Sequence, residues 1–542
     1  MAVPLLMRGL LQGVNWRRMQ IAAGVFAGGT VAALAFVWWL PNVAPEGDMA
    51  LMDVHILNVL QHLEPVGSYS RYGWNHPGPL YSMVQAPLFW LGGYRHLSTS
   101  VTAMVVNVTA VTAAGVLMYR WSRNRVLVIT ATALVAVYLG RVPALLASPW
   151  NAHFPILLLP LLLTGAAAVA TGRFAILPAV VLLASLIVQA HVGFAACVAA
   201  AVGAAIAMSL VSVAAARNDR TTRCAFSRTV LTAAIVGLLA WALPLWDAAS
   251  STGSHNLQHL YDFFTQESRH RYVRATTAFA SYLIAPASPE LDLPWGAELR
   301  AVEASGIRHV ALMQMLLLVG AAAGWVIRRR RFEAAWSILL IVSLLASYAS
   351  IRRLPEVPRD HTVFWVSILG VMSWTTILAF LVTSWTARWS YRSSAHPGLP
   401  VAITAAVVAI LLAVGSSQVV ARARVDASPR ARALTRPIRD ELDRLGLRTA
   451  VFHVPEALWG DVAGVVFQLY RNGYEPRVEK EWAWMFGQSL APTGDERLAF
   501  DFSSPAGAAN HQPADGYRSL SSVGLMGVYV RTQDATRVSG TP

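Results

Sequence analysis

The apolar positions of this chain gather into long unbroken runs separated by short polar breaks, rather than into the stripes of water-soluble amphipathic helices. The first run, 19–40, is long enough at about 1.5 Å per residue to cross a hydrocarbon core of about 30 Å. Ten more follow at about 98–119, 126–146, 153–171, 174–190, 194–214, 229–247, 309–327, 334–351, 363–384 and 400–420. Eleven crossings put the two termini on opposite sides. Three longer polar stretches interrupt the pattern: 41–97, 248–308 and the tail from 425.

Charge assigns the sides. Arg8, Arg17 and Arg18 precede the first run, and Arg120/Arg123/Arg125, Arg173, Arg217/Arg220/Arg223/Arg228, Arg328 to Arg331 and Arg388/Arg392 occupy every second break thereafter. Arginine-rich short loops stay in the cytoplasm, so the expected topology has a cytoplasmic N-terminus and an extracytoplasmic C-terminus in the cytoplasmic (inner) membrane. Only 13% of the 542 residues are charged and 55% are hydrophobic, more apolar side chain than a water-soluble core can hide. The net charge of +14 is almost entirely arginine, Lys480 being the sole lysine, and it lies between spans, so nucleic acid is not an expected partner. Cys197 lies inside an apolar run and Cys224 in an arginine-rich break, an arrangement that predicts neither a disulfide nor a metal site.

The fold class expected is therefore an all-α polytopic membrane protein over 1–424, followed by a small extracytoplasmic α/β domain over 425–542. Within the tail, 435–446 and 457–471 read as helices, and 449–454 and 524–531 as strands. Trp482 and Trp484 alternate, which on a strand puts both indoles on one side, free to stack on sugar rings or to pack into the domain.

Chemistry-bearing residues are densest in the first outer loop. From Asp48 to Leu63 the pattern is an interfacial helix whose Leu51, Val54, Leu57 and Leu60 can lie in the bilayer surface. Asp48 follows Gly47 at the helix start, where it can serve as an N-cap or as a general base at the membrane boundary. Asp53 and His55 lie on the same helix; Asp48, His55 and His62 share a face but stand two turns apart, too far for one metal ion. The segment Tyr69 to Tyr81 then breaks at Pro77 and Pro79, with Arg71, Asn75, His76 and Tyr81 forming a candidate binding wall.

These loop residues, Asp48-Met49-Ala50-Leu51, the helix after them, and a polar-basic residue before Pro-x-Pro-Leu-Tyr, resemble the GT-C glycosyltransferases, in the branch of protein O-mannosyltransferases and aminoarabinose lipid A transferases. The resemblance implies transfer of a sugar from a polyprenyl-phosphate donor to a glycan, lipid or protein acceptor outside the membrane, with Asp48 as catalytic base. It implies no cofactor that the spacing here supports, a divalent metal included. The chain departs from the family at His76, where lysine is usual, and at Gly78, where a second proline is usual. The loop from Arg141 to His153 also lacks a carboxylate, holding Asn151 and His153 instead, both expected to enter the fourth span and face the bundle interior. A departing phosphate calls for guanidinium groups, and Arg269, Arg271 and Arg274 with Arg352 and Arg353 run against the positive-inside trend. The competing readings are a transporter of lipid-linked intermediates and a non-catalytic scaffold for envelope assembly.

Overall fold

The computed structural model describes residues 16–215, 219–251, 253–266, 272–285, 291–294, 306–355, 358–386, 399–503, 517–523 and 526–532. The elements run α1 (Trp16–Trp39), α2 (Gly47–His62), β1 (Tyr69–Ser70), β2 (Trp74–Asn75), α3 (Leu80–Leu91), α4 (Leu97–Ser122), α5 (Arg125–Arg141), α6 (Leu159–Ala170), α7 (Leu177–Ala190) and α8 (Ala195–Ala215). They continue with α9 (Arg220–Ala240), α10 (Ala242–Ala249), α11 (Asn256–Thr265), α12 (Tyr272–Leu283), α13 (Ile307–Ile327), α14 (Arg331–Arg352), α15 (Val366–Thr386) and α16 (Leu399–Val425). The tail holds α17 (Pro429–Leu445), β3 (Thr449–Phe452), α18 (Trp459–Tyr470), β4 (Glu475–Val478), α19 (Ala483–Phe486), β5 (Leu498–Ser503), β6 (Arg518–Val523) and β7 (Met526–Thr532).

A helix overlies each of the eleven expected segments, and seven helices among the described residues are long and apolar enough to cross a membrane. Proline accounts for two of the shorter ones. Pro160 and Pro178 stand in the first turns of α6 and α7, where the ring's fixed φ and missing N–H suit a helix start. The stretch from Asn151 to Leu158 therefore folds as turns and a 3₁₀ segment, so Asn151 and His153 lie before the helix rather than inside it.

Three of the arginine-bearing breaks, at 120–125, 173 and 328–331, meet at one end of the bundle. Asn124 donates to Glu333 at 3.1 Å, Arg330 pairs with the same carboxylate at 2.8 Å, and Arg173 lies 6.0 Å over the Trp121 ring. A buried glutamate at a helix start is tolerable there because both neighbours satisfy it.

The tail forms a mixed five-stranded sheet, order β4-β3-β5-β7-β6, parallel across β4-β3-β5 and antiparallel from β5 onward. Two of its expected elements change. Trp482 and Trp484 sit in a 3₁₀ turn and the short α19, not on a strand, so their alternation does not set them side by side. The apolar stripe of α2 is also covered differently: Leu51, Val54 and Leu57 are buried in one core with Leu434, Ile438, Val462 and Phe467 of the tail, not in the bilayer surface. Periodicity demands that such a stripe be covered without saying by what, and the tail domain covers it.

Side chains of the first loop grip the turn around α19. His55 Nε2–H donates to the Met485 carbonyl at 3.0 Å, Asn58 to that of Phe486 at 2.9 Å and Asn75 to that of Trp484 at 3.0 Å. The Gln488 N–H donates to Glu64 at 2.9 Å. Three consecutive carbonyls of a one-turn helix thus find the partners that the helix itself cannot provide. Burial pushes the Glu64 carboxyl up to about 7, against the opposing pull of the Gln488 N–H. A carboxyl raised in the folded state contributes stability that is fully present below its unfolded value and lost as pH rises through about 7. Amide hydrogen exchange at 484–488 is accordingly expected to quicken, beyond the intrinsic base-catalysed rise, between about pH 6 and 8, and Glu64→Gln is expected to remove that excess.

Candidate functional site

Asp48 stands in the first turn of α2, but the helix is capped by Glu46, whose extended backbone precedes it and whose side chain makes no capping bond. The cap role is thus not taken by Asp48. Its half-buried carboxylate accepts instead from the Tyr69 hydroxyl of β1. Burial raises its pKa above the usual carboxylate value, with the Tyr69 bond and the Arg71 guanidinium pulling the other way. The helix N-terminus also favours the negative form. The result is a carboxylate more basic than an exposed one, held in a fixed orientation, with the exposed Arg71 on the turn between β1 and β2 as its nearby positive charge.

Arg71 also acts on His361, one of a set of uncharged histidines. The rings of His76 and His191 are 4.7 Å apart, and His361 is 5.1 Å from the Trp150 ring. The Val192 N–H donates to His76 Nδ1 at 3.1 Å and the Gly193 N–H to His191 Nδ1 at 3.2 Å. Both rings therefore carry their proton on Nε2 and present an N–H donor. Burial holds His76 well below its ordinary pKa, helped by repulsion from His191, His55 and His361; burial takes His191 down to about 4 and, with His191 and Arg71 adding repulsion, His361 to about 3. At the position where the family has lysine, this chain thus places a neutral hydrogen-bond donor.

The other expected site residues are not all brought here. Asp53 is fully buried and receives the His96 Nδ1–H at 2.7 Å, while His96 Nε2–H donates to Asp426 at 3.2 Å and Arg422 pairs with Asp426 at 2.8 Å. This relay joins α2 to the start of α4 and the end of α16, so Asp53 is turned away from Asp48. His55 faces Met485 in the tail rather than a ligand space. Tyr81 is buried, its hydroxyl donating to the Pro149 carbonyl. Asn75 is clasped by Asn256, its N–H donating to Oδ1 and its carbonyl accepting from Nδ2, both at 2.8 Å. Asn151 donates to the Ala190 carbonyl at 3.3 Å, and His153, fully buried, donates from Nε2 to Pro294 at 3.0 Å. Of the arginines, Arg352 lies 5.5 Å over the Tyr348 ring, Arg274 and Arg353 are exposed, and Arg269 and Arg271 lie outside the described residues. Among the described residues no group of three His, Cys, Asp or Glu side chains is placed to hold a metal ion, and both cysteines are free.

Sequence reasoning overlooked His96, Asp426, Arg422 and His361 altogether. Their only signal was that ionisable groups so close to apolar runs require partners.

Gly78, where the family has proline, has a local explanation. A Cβ at this position would meet Gln189 Oε1 at 2.4 Å and Pro244 Cγ at 2.6 Å. Gln189 accepts from the Leu80 N–H at 3.2 Å and donates to the Ala240 carbonyl at 2.8 Å, so its amide cannot move aside without losing both bonds. Gly78→Ala is expected to destabilise the loop by about 1–3 kcal/mol, read as a lowered Tm in detergent.

No family model matches the sequence, and no curated protein matches it. The fold does match a solved structure. The crystal structure of ArnT from Cupriavidus metallidurans bound to undecaprenyl phosphate superposes with a TM-score of 0.53, covering 96% of this chain and 100% of that one at 13% identity. At that identity the likeness speaks for the fold alone. The architecture expected from the residues of 48–81 is thereby met: the chain is a multi-span membrane protein with the fold of ArnT.

Proposed function

We propose that this chain is a membrane glycosyltransferase that moves a sugar from a polyprenyl-phosphate donor to the hydroxyl of a glycan, lipid or protein acceptor. The carrying observation is Asp48, a carboxylate made more basic by burial and oriented by Tyr69 beside Arg71. In the reaction the acceptor oxygen bonds to the anomeric carbon and gives its proton to Asp48, while the bond from that carbon to the phosphate oxygen breaks and the phosphate leaves with the electron pair. Arg71 and the Nε2–H of His76 stabilise the charge that develops on the leaving group. Arg274, Arg352 and Arg353 serve the donor's phosphate farther out. Undecaprenyl phosphate bound in a protein of the same fold supports the donor class. The reaction takes place on the tail domain's side, which the arginine pattern makes extracytoplasmic.

The test is release of free polyprenyl phosphate from radiolabelled lipid-linked sugars by the purified full-length chain. Release from one donor names the sugar. A folded protein that releases carrier from none of the panel returns the chain to the transporter and scaffold readings.

A further inference from the structure

Building on the reading of Asp48 as base, we infer that Tyr69 is a positioning residue for that carboxylate and that the tail domain holds it in place through Trp459 and Trp484, so that membrane part and tail make one site. Tyr69 sits on a two-residue strand, too short to fix a side chain by itself. Two indoles from different elements of the tail flank its ring edge-to-face: Trp459 at 6.2 Å and 68°, Trp484 at 6.0 Å and 62°. With the ring so held, the hydroxyl reaches Asp48 Oδ1.

The approach of the tail to this spot is built into its helix. In α18, Gly460 and Gly464 face the backbone just before Asp48. A Cβ on Gly464 would lie 2.7 Å from the Pro45 carbonyl oxygen, and one on Gly460 would lie 3.4 Å from the Gly47 Cα. The contact at Gly460 is ordinary, but at Gly464 only a residue without Cβ lets the helix, which Trp459 begins, come this close to the chain before Asp48. Trp484 is fixed independently, because its own carbonyl accepts from Asn75 at 3.0 Å and the two that follow accept from His55 and Asn58.

The consequence is chemical as well as geometric. A hydroxyl that donates to the carboxylate stabilises its charged form and leaves the other oxygen to take the acceptor's proton. The groups that act on Asp48 are Tyr69 and Arg71; the charges on α18 are spent elsewhere, Asp461 pairing with Arg430 and facing Glu46.

The experiment is pH-dependent carbodiimide labelling of Asp48 in the full-length protein, read by mass spectrometry, because carbodiimides modify the protonated carboxyl. Tyr69→Phe is expected to move the labelling midpoint up by about one pH unit, a tenfold change in protonated fraction at a given pH. The acid limb of carrier release should move with it, with kcat lowered and donor KM unchanged. Trp484→Ala is expected to shift the midpoint in the same direction, whereas Trp484→Phe stays with the wild type. An unmoved midpoint in Tyr69→Phe, or in Trp484→Ala should Tyr69→Phe not fold, overturns the inference. A moved midpoint in a protein that releases no carrier keeps the positioning and overturns the glycosyltransferase reading instead.

Discussion

Asp48→Asn is expected to lower carrier release by about 10²–10⁴-fold while the protein stays folded, which is the range a positioned general base contributes. The substitution is nearly isosteric, and its amide oxygen still accepts from the Tyr69 hydroxyl, so the β1 contact to α2 survives. Only the ability to take a proton is lost. The wild type carries its own signature: because burial raises the Asp48 pKa, activity should fall off with acid above the ordinary carboxylate range, as the base becomes protonated. Asparagine has no such limb. Equal turnover by wild type and variant would remove Asp48 from the chemistry and leave the transfer to another base.

The second large effect is expected on another side of the same helix, in a row that takes no part in that chemistry. His96 lies between two buried carboxylates, 2.7 Å from Asp53 and 3.2 Å from Asp426, with Arg422 completing the row. Burial opposes a charge on the ring, but Asp53 and Asp426 outweigh it and hold His96 at about 9. His96→Leu leaves Asp53 buried without its partner, an arrangement that destabilises by about 3–5 kcal/mol. Because the folded value lies above the unfolded one, the stabilisation is fully present below about pH 6.5 and is lost as pH rises through about 9. Thermal unfolding in detergent should therefore show a Tm that falls between those values in the wild type and a lower, flatter profile in the variant. A variant as stable as the wild type would mean that the row carries no net energy.

Much of the architecture was legible in the residues. A helix overlies each of the eleven apolar runs, and seven helices among the described residues are long and apolar enough to cross a membrane, where lipid leaves the backbone no other way to satisfy its hydrogen bonds. Three of the arginine-bearing breaks, at 120–125, 173 and 328–331, meet at one end, as expected where arginine in short loops is kept on a single side of the bilayer. Two of the tail's helices, α17 and α18, and its β3 and β7 overlap the segments that periodicity marked, α17 starting six residues before the expected 435.

What escaped the sequence is everything decided by contacts between distant segments. Leu51, Val54 and Leu57 announced an apolar face; whether lipid or protein covers it depends on a domain nearly 400 residues further along the chain. His55, Asp53 and Tyr81 were chemically eligible for a site, yet each is taken by a partner more than forty residues away, except for Tyr81's minor contact with Met52. The sequence alone determined that this chain spans a membrane and that its chemistry-bearing residues are densest in the first long polar stretch, because these follow from local composition and from the bilayer's demand on the backbone. Tertiary structure alone decided which of those groups remain free to act, because a buried polar side chain is claimed by whichever donor or acceptor the fold brings against it, and nothing in the residue itself names that partner.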